Sequence, residues 1–135
     1  MPKHRITHEL GDPEPPKPHE NNAARIIADY FDSDLVFIRK KQFVSPDLFI
    51  VRTNQVWELK SPLGNGKRTI ANNLRDAAGQ SKLIILDLSR CKMNNDKAMS
   101  HIRGFMQSGD AHIKKLLVID KSGQVIDYYS NVRYN

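Results

Sequence analysis

Apolar residues recur at three- and four-residue steps in three parts of the chain, and this spacing predicts three helices. The first helix begins near Glu20. The second runs from about Arg68 to Lys82, and the third follows a capping asparagine, Asn94 or Asn95. Each helix has one apolar face and therefore needs another element on which that face can pack.

Shorter segments that alternate or run apolar predict six strands. They are Leu35–Lys41, Leu48–Val51, Val56–Lys60, Leu83–Leu88, Ile113–Ile119 and Gln124–Tyr129. The second and third flank a polar turn and predict a hairpin. The resulting order is α-β-β-β-α-β-α-β-β. It predicts a single α/β (α+β) domain in which helices pack on a mixed, mostly antiparallel sheet.

The N-terminal segment has a different composition from the rest of the chain. Five of the seven prolines lie within the first 18 residues. Because proline fixes φ and lacks a backbone donor, such a run cannot form a regular helix or a central strand. We therefore expect residues 1–18 to form a Pro-rich arm or linker, and residues 19–135 to form the folded domain.

The overall composition is that of a soluble globular protein. The chain has 135 residues, of which 39% are hydrophobic and 27% charged, enough for one buried core. No uninterrupted apolar run is longer than four residues, the length of Leu83–Leu86, so we expect no transmembrane segment, no signal peptide and no membrane partner. The single cysteine, Cys91, excludes an internal disulfide. These features predict a cytoplasmic site of action.

The charge balance points to an anionic partner. There are 21 Lys and Arg residues against 15 Asp and Glu, a net charge of +6. The charges of the first 18 residues cancel, so the predicted domain carries this excess. A small, basic domain is typical of proteins that bind nucleic acid, although a charge of this size also favours solubility.

The predicted hairpin carries the residues with the clearest chemistry. Glu58 and Lys60 are two positions apart in a strand, so their side chains leave the same face. Asp47 opens the neighbouring strand, which the hairpin places alongside. Two carboxylates at this spacing can hold Mg²⁺, and a lysine beside them can stabilise charge on a phosphate. The alternative interpretation is a cross-strand ion pair on the protein surface.

Further candidates lie on the first and second helices and on the loop before the second. Glu20 is either a second acid near the hairpin or only a favourable charge at a helix N-terminus. His19 is a candidate acid or base. Polar and basic residues of the loop and second helix are candidates for substrate binding, with a solvated polar face as the alternative. These residues are Ser61, Lys67, Arg68, Thr69, Asn73, Arg75 and Gln80.

Several of these motifs together resemble one family. They are Ser45-Pro46-Asp47, Trp57-Glu58-Leu59-Lys60-Ser61-Pro62, Thr69–Ala77, Gln80-Ser81 and Leu86-Asp87-Leu88. Over roughly residues 19–128 the chain resembles the C-terminal tRNase toxin domain of contact-dependent growth inhibition (CdiA) proteins, grouped with the Barnase/EndoU/colicin/RelE (BECR) ribonucleases. The resemblance implies metal-free cleavage of RNA, with tRNA as the expected substrate and an acidic inhibitor (immunity) protein as a partner.

A second resemblance uses the same residues. An acid on the first helix, then Pro46-Asp47, Glu58-Leu59-Lys60 and Gln80, is similar to the layout of PD-(D/E)XK nucleases. This resemblance implies that Asp47 and Glu58 bind Mg²⁺, that Lys60 assists the attacking water, and that DNA is a possible substrate. The metal-free cleavage implied by the first resemblance needs no cofactor. Glu58 and His19 are then the candidate base and acid, and Asp47 is a further acid or base candidate.

A non-catalytic function is a third hypothesis. A nucleic-acid-binding module would use the same basic face, and Glu58 and Lys60 would then be only a structural pair. Replacing Lys60 would weaken binding modestly in such a module. In a nuclease, the same replacement would abolish cleavage with little effect on binding.

Overall fold

The computed structural model describes residues 3–8, 15–38 and 47–133, and within them the chain forms seven strands and four helices. The strands are β1 (Ile6–His8), β2 (Leu35–Ile38), β3 (Asp47–Ile50), β4 (Gln55–Lys60), β5 (Leu83–Asp87), β6 (Lys115–Ile119) and β7 (Val125–Asp127). The helices are α1 (Pro18–Phe31), α2 (Thr69–Ala78), α3 (Asn95–Ser108) and α4 (Tyr128–Arg133). Parallel and antiparallel pairs both occur, so the predicted mixed α+β fold is confirmed.

The structure adds two elements to the predicted order and changes some boundaries. Strand β1 lies in the segment that we assigned to the Pro-rich arm, and α4 begins at Tyr128, inside the last predicted strand. Helix α2 ends at Ala78, four residues before the predicted end, and Gly79 is its C-cap. Residues 39–41 of the first predicted strand, and the motif residues Ser45 and Pro46, lie outside the described residues.

The chain divides into two compact units, Met1–Glu58 and Leu59–Asn135. In the first unit, β1 runs parallel to β2, while β2–β3 and β3–β4 are antiparallel. The predicted hairpin is therefore confirmed, and its turn closes at Asn54, which has a φ of 57° and donates its N–H to the Ile50 carbonyl at 2.8 Å.

The two faces of the first unit's strands differ in composition. Phe31 of α1 contacts Trp57, with ring centroids 5.7 Å apart, so α1 covers the face that carries Trp57. Leu48 pairs with both Phe37 and Trp57, and all three are buried. The opposite face carries Asp47 and Glu58. Burial of one apolar face against a helix thus fixes the register that aligns these two acids.

The second unit has its own apolar core. Strand β6 lies between β5, its parallel partner, and β7, its antiparallel partner. Helices α2 and α3 contribute Ile70, Leu74 and Ile102 to a buried cluster with the strand residues Ile84 and Leu116. This packing matches the amphipathic patterns predicted for both helices. Among the described residues, no helix is both long enough and apolar enough to cross a membrane.

Candidate functional site

Two carboxylates lie opposite each other in the first unit. The antiparallel register pairs Asp47 of β3 with Glu58 of β4. Directly opposed residues of this kind have Cα atoms about 4.5 to 5.5 Å apart and side chains on the same face. Both residues are buried, with Asp47 4% and Glu58 0% exposed. The structure therefore brings together the two acids that the sequence singled out.

The chemistry of this pair suits a metal ion, because carboxylate oxygens are preferred ligands of hard divalent cations. A divalent cation fits the donor set, because Mg²⁺ is usually held by one or two carboxylates together with water and substrate phosphates. Among the described residues, no group of three or more His, Cys, Asp or Glu side chains could hold a metal ion. With two carboxylates as its protein ligands, a metal at this pair would keep coordination positions for water and phosphate.

Lys60 continues the same strand. It is the last residue of β4 and is half-buried. Alternation along the strand places its side chain on the same side of β4 as that of Glu58. An ammonium group in this position can offset carboxylate charge or stabilise charge that develops on a phosphate.

Glu20 has a structural role at the N-terminus of α1. Its Oε1 accepts a hydrogen bond from the backbone N–H of Lys17 at 2.8 Å, and the residue is 6% exposed. This contact is half of a capping box, which satisfies a backbone donor before the first turn. It agrees with the interpretation of Glu20 as a helix-terminal acid. His19 is half-buried in the same turn, and a catalytic role for either residue remains a prediction.

The polar stripe of α2 takes part in helix and loop structure in the second unit. Thr69 Oγ1 accepts a hydrogen bond from the Gly66 N–H at 3.1 Å, and Asn73 Nδ2 donates to the Thr69 carbonyl at 2.8 Å. Gln80 is half-buried, and its Oε1 has no hydrogen-bond partner within the described chain. Because this oxygen is itself buried, it is not accessible to another molecule in this conformation.

Arg75 is exposed but already makes three contacts. Its guanidinium lies 3.3 Å from Asn72 Oδ1, 3.6 Å from Asp110 Oδ2 and 5.6 Å from the centre of the Phe105 ring. It lines an open cleft between α2 and α3 together with Lys67 and His101. No pattern in the sequence points to His101, because the cleft depends on how two helices distant in sequence pack together.

The remaining candidates lie in the connection between β4 and α2. Ser61 is half-buried, whereas Lys67 and Arg68 are exposed. The connection is anchored at its end by a backbone hydrogen bond from Thr69 to Gly66 at 3.2 Å. Lys67 and Arg68 are therefore presented to solvent by a loop whose backbone is tied to the helix that follows.

Comparison with known proteins gives one family and one related structure. Residues 45–125, more than half of the chain, match the family model of the contact-dependent growth inhibition CdiA C-terminal domain. The fold is similar to a chain of a CdiA-CT/CdiI toxin and immunity complex from Burkholderia pseudomallei, with a TM-score of 0.61 and 21% identity over 90% of this chain and 97% of that one. No curated protein gives a significant match. The chain thus belongs to the CdiA C-terminal domain family of contact-dependent growth inhibition, as its motifs predicted.

Proposed function

We propose that this domain is a nuclease toxin that cleaves RNA in the cytoplasm, with tRNA as its substrate. One observation carries the proposal: Asp47 and Glu58 are opposed and buried on one face of β3 and β4, and Lys60 follows on the same side of β4. Two acids and a lysine in this arrangement are suited to phosphodiester cleavage. The family membership and the net charge of +6 support the same conclusion.

In the form of the reaction that we favour, Asp47 and Glu58 bind a divalent cation. The opposed carboxylates support this form, because divalent cations are commonly held by two carboxylates on one face. When bound, the cation would supply positive charge at the phosphate and lower the pKa of a water ligand. Lys60 would stabilise the charge that develops on the phosphate oxygens, and its loss would cost about 100- to 1000-fold in rate.

The metal-free reaction is the second candidate. In that reaction Glu58 and His19 would serve as base and acid, with the RNA 2′-hydroxyl as the nucleophile. The half-buried position of His19 in the first turn of α1 is the observation that keeps it under consideration.

An immunity protein is the protein partner that we propose. The related Burkholderia pseudomallei chain comes from a toxin and immunity complex. A net charge of +6 on this chain favours an acidic inhibitor, because complementary charge speeds association and excludes wrong partners.

The deciding experiment compares substrates and metal dependence. Total tRNA and plasmid DNA are each incubated with the wild-type chain and with Lys60→Ala, in Mg²⁺ and in EDTA. We expect tRNA cleavage in Mg²⁺ that EDTA and Lys60→Ala both abolish. Cleavage in EDTA would establish the metal-free reaction, and cleavage of DNA alone would overturn RNA as the substrate. Binding without any cleavage would show a non-catalytic module.

A further inference from the structure

We propose that three loops of the second unit form one surface for the phosphate backbone of nucleic acid. The loops are residues 61–69, 89–97 and 120–123, counted to include the first residue of α2 and the first three residues of α3. We call their joint surface the three-loop surface. Its cations are Lys67, Arg68, Arg90, Lys92, Lys97 and Lys121. The inference rests on the proposed function, since it names where the nuclease would hold its substrate away from the reacting phosphate.

Hydrogen bonds join the first two loops directly. The Lys92 N–H lies 3.3 Å from both the Leu63 and the Gly64 carbonyl oxygens. The Cys91 thiol donates to the Gly64 carbonyl at 3.2 Å, and Lys97 Nζ donates to the Asn65 carbonyl at 3.4 Å. Residues 27 to 32 positions apart in sequence are thus held side by side.

The third loop is attached to the second by Lys121. Its backbone N–H donates to Asn95 Oδ1 at 3.0 Å, and its Nζ donates to the Cys91 carbonyl. Asp120 stabilises the turn itself, because its Oδ1 accepts from the Ser122 N–H at 2.9 Å and from the Gln124 N–H at 3.0 Å. The three loops therefore form one connected backbone framework for their cations.

The net charge of this framework is strongly positive. Six Lys and Arg residues lie in the three loops against two acids, Asp96 and Asp120, so the loops carry +4 of the chain's net +6. All six cations are exposed, whereas Asp120 is buried in its own turn. Asp96 alone opposes the cations at the surface, and an extended polyanion is the ligand that this balance fits.

The chemistry of the surface favours nucleic acid over an acidic protein. The three loops contain no aromatic residue, and Leu63 is their single exposed large apolar side chain. Protein interfaces are enriched in aromatic residues and depleted in lysine, whereas phosphate contacts use lysine and arginine without an apolar centre. This composition therefore predicts binding to the phosphate backbone of nucleic acid without recognition of the bases.

The test measures tRNA binding as a function of salt in a Lys60→Ala background, so that cleavage plays no part. The surface variant adds Arg68→Gln, Arg90→Gln and Lys92→Gln. Each phosphate contact contributes about 0.7 to 0.9 to the slope of log K against log salt. We expect the surface variant to bind about 10- to 100-fold more weakly near 0.1 M salt, with a slope shallower by about two.

The control removes the same charge elsewhere in the second unit. The control variant carries Lys82→Gln, Lys114→Gln and Lys115→Gln, and all three lysines are exposed. Hydrogen bonds from the Lys114 and Lys115 N–H groups to the Lys82 carbonyl, at 2.9 and 3.1 Å, hold the three residues together. Lys115 begins β6 and Lys121 follows its other end, so the control cluster lies away from the three-loop surface. We expect the control variant to retain most of the affinity for tRNA and most of the slope of log K against log salt.

Three results would overturn the inference. The first is an unchanged slope of log K against log salt in the surface variant, and the second is an equal loss of tRNA affinity in the surface and control variants. The third is competition by polyglutamate as strong as competition by unlabelled tRNA. The last would identify an acidic protein as the ligand. A wild-type chain that binds through the surface but cleaves nothing would support the inference while refuting the nuclease proposal.

Discussion

Asp47 and Glu58 are directly opposed across β3 and β4, and both carboxylates are buried. The two residues are eleven positions apart in sequence, and the hairpin turn at 51–54 aligns them. The proposed site therefore depends on the pairing of β3 with β4, which places the two acids on one face.

Two glycines of the second unit should respond in opposite ways to alanine. A Cβ on Gly64 would lie 3.0 Å from Thr69 Oγ1, which already accepts the Gly66 N–H, whereas a Cβ on Gly104 in α3 meets nothing within 4 Å. We expect Gly64→Ala to lower the free energy of unfolding by about 1 kcal/mol or more through displacement of the loop. Gly104→Ala should raise it by about 0.5 to 1 kcal/mol, because alanine favours the helix. Urea unfolding measures both, and a loss at Gly104 would contradict the structure.

Two leucines test the core of the second unit. Leu116 of β6 is fully buried, whereas Leu63 is 55% exposed. Leu116→Ala should lower the free energy of unfolding by about 2 to 5 kcal/mol, because it leaves a cavity. Leu63→Ala should change it by less than about 0.5 kcal/mol. Similar losses for the two variants would show that Leu116 is not in a well-packed core.

A pH-dependent contact lies at the N-terminal end of the first unit. The Asp32 carboxylate is 3.1 Å from Lys3 Nζ, 3.2 Å from His4 Nε2 and 3.2 Å from Arg52 Nη1. The hydrogen bond and charge of Lys3, with smaller effects of His4 and Arg52, lower the pKa of Asp32 below 3.8. Its stabilising effect is therefore present above pH 3.8 and is lost as the pH falls through the lowered pKa.

Asp32→Asn isolates this effect. Asparagine tolerates the left-handed backbone at this position, where φ is 53°, but cannot carry the charge. We expect wild type to have the higher urea midpoint at pH 6, and the difference from Asp32→Asn to shrink as the pH is lowered from 4 to 2. High salt should also reduce the difference, because the ion pairs are exposed. A difference that grows on acidification would contradict the pKa direction.

The hairpin and the two central helices were predictable because local pattern and burial agree. Alternation in 56–60, the turn residues before it and the apolar faces of α2 and α3 all indicate the elements that form. Strand β1 was not predictable, because three residues show no periodicity and pairing with β2 depends on a distant segment. The beginning of α1 at Pro18 did have a signal, since proline is favoured in the first turn.

Some of the candidate residues were likewise predictable from the sequence and others were not. Asp47, Glu58 and Lys60 were predictable from strand alternation and one short turn. Arg90 and Lys92 were not, because only long-range hydrogen bonds from the 89–97 loop to Gly64 and its neighbours bring them to the other cations.

The most direct test of the nuclease proposal is the single-turnover rate of tRNA cleavage by Glu58→Gln in saturating Mg²⁺. Asp29→Asn, which removes an exposed carboxylate from α1 of the same unit, is the matched control. Circular dichroism and a thermal melt verify that each variant is folded. We predict a loss of at least about 100-fold for Glu58→Gln and a change of less than about twofold for Asp29→Asn. A folded Glu58→Gln variant that cleaves tRNA at the wild-type rate would contradict the role assigned to the carboxylate pair.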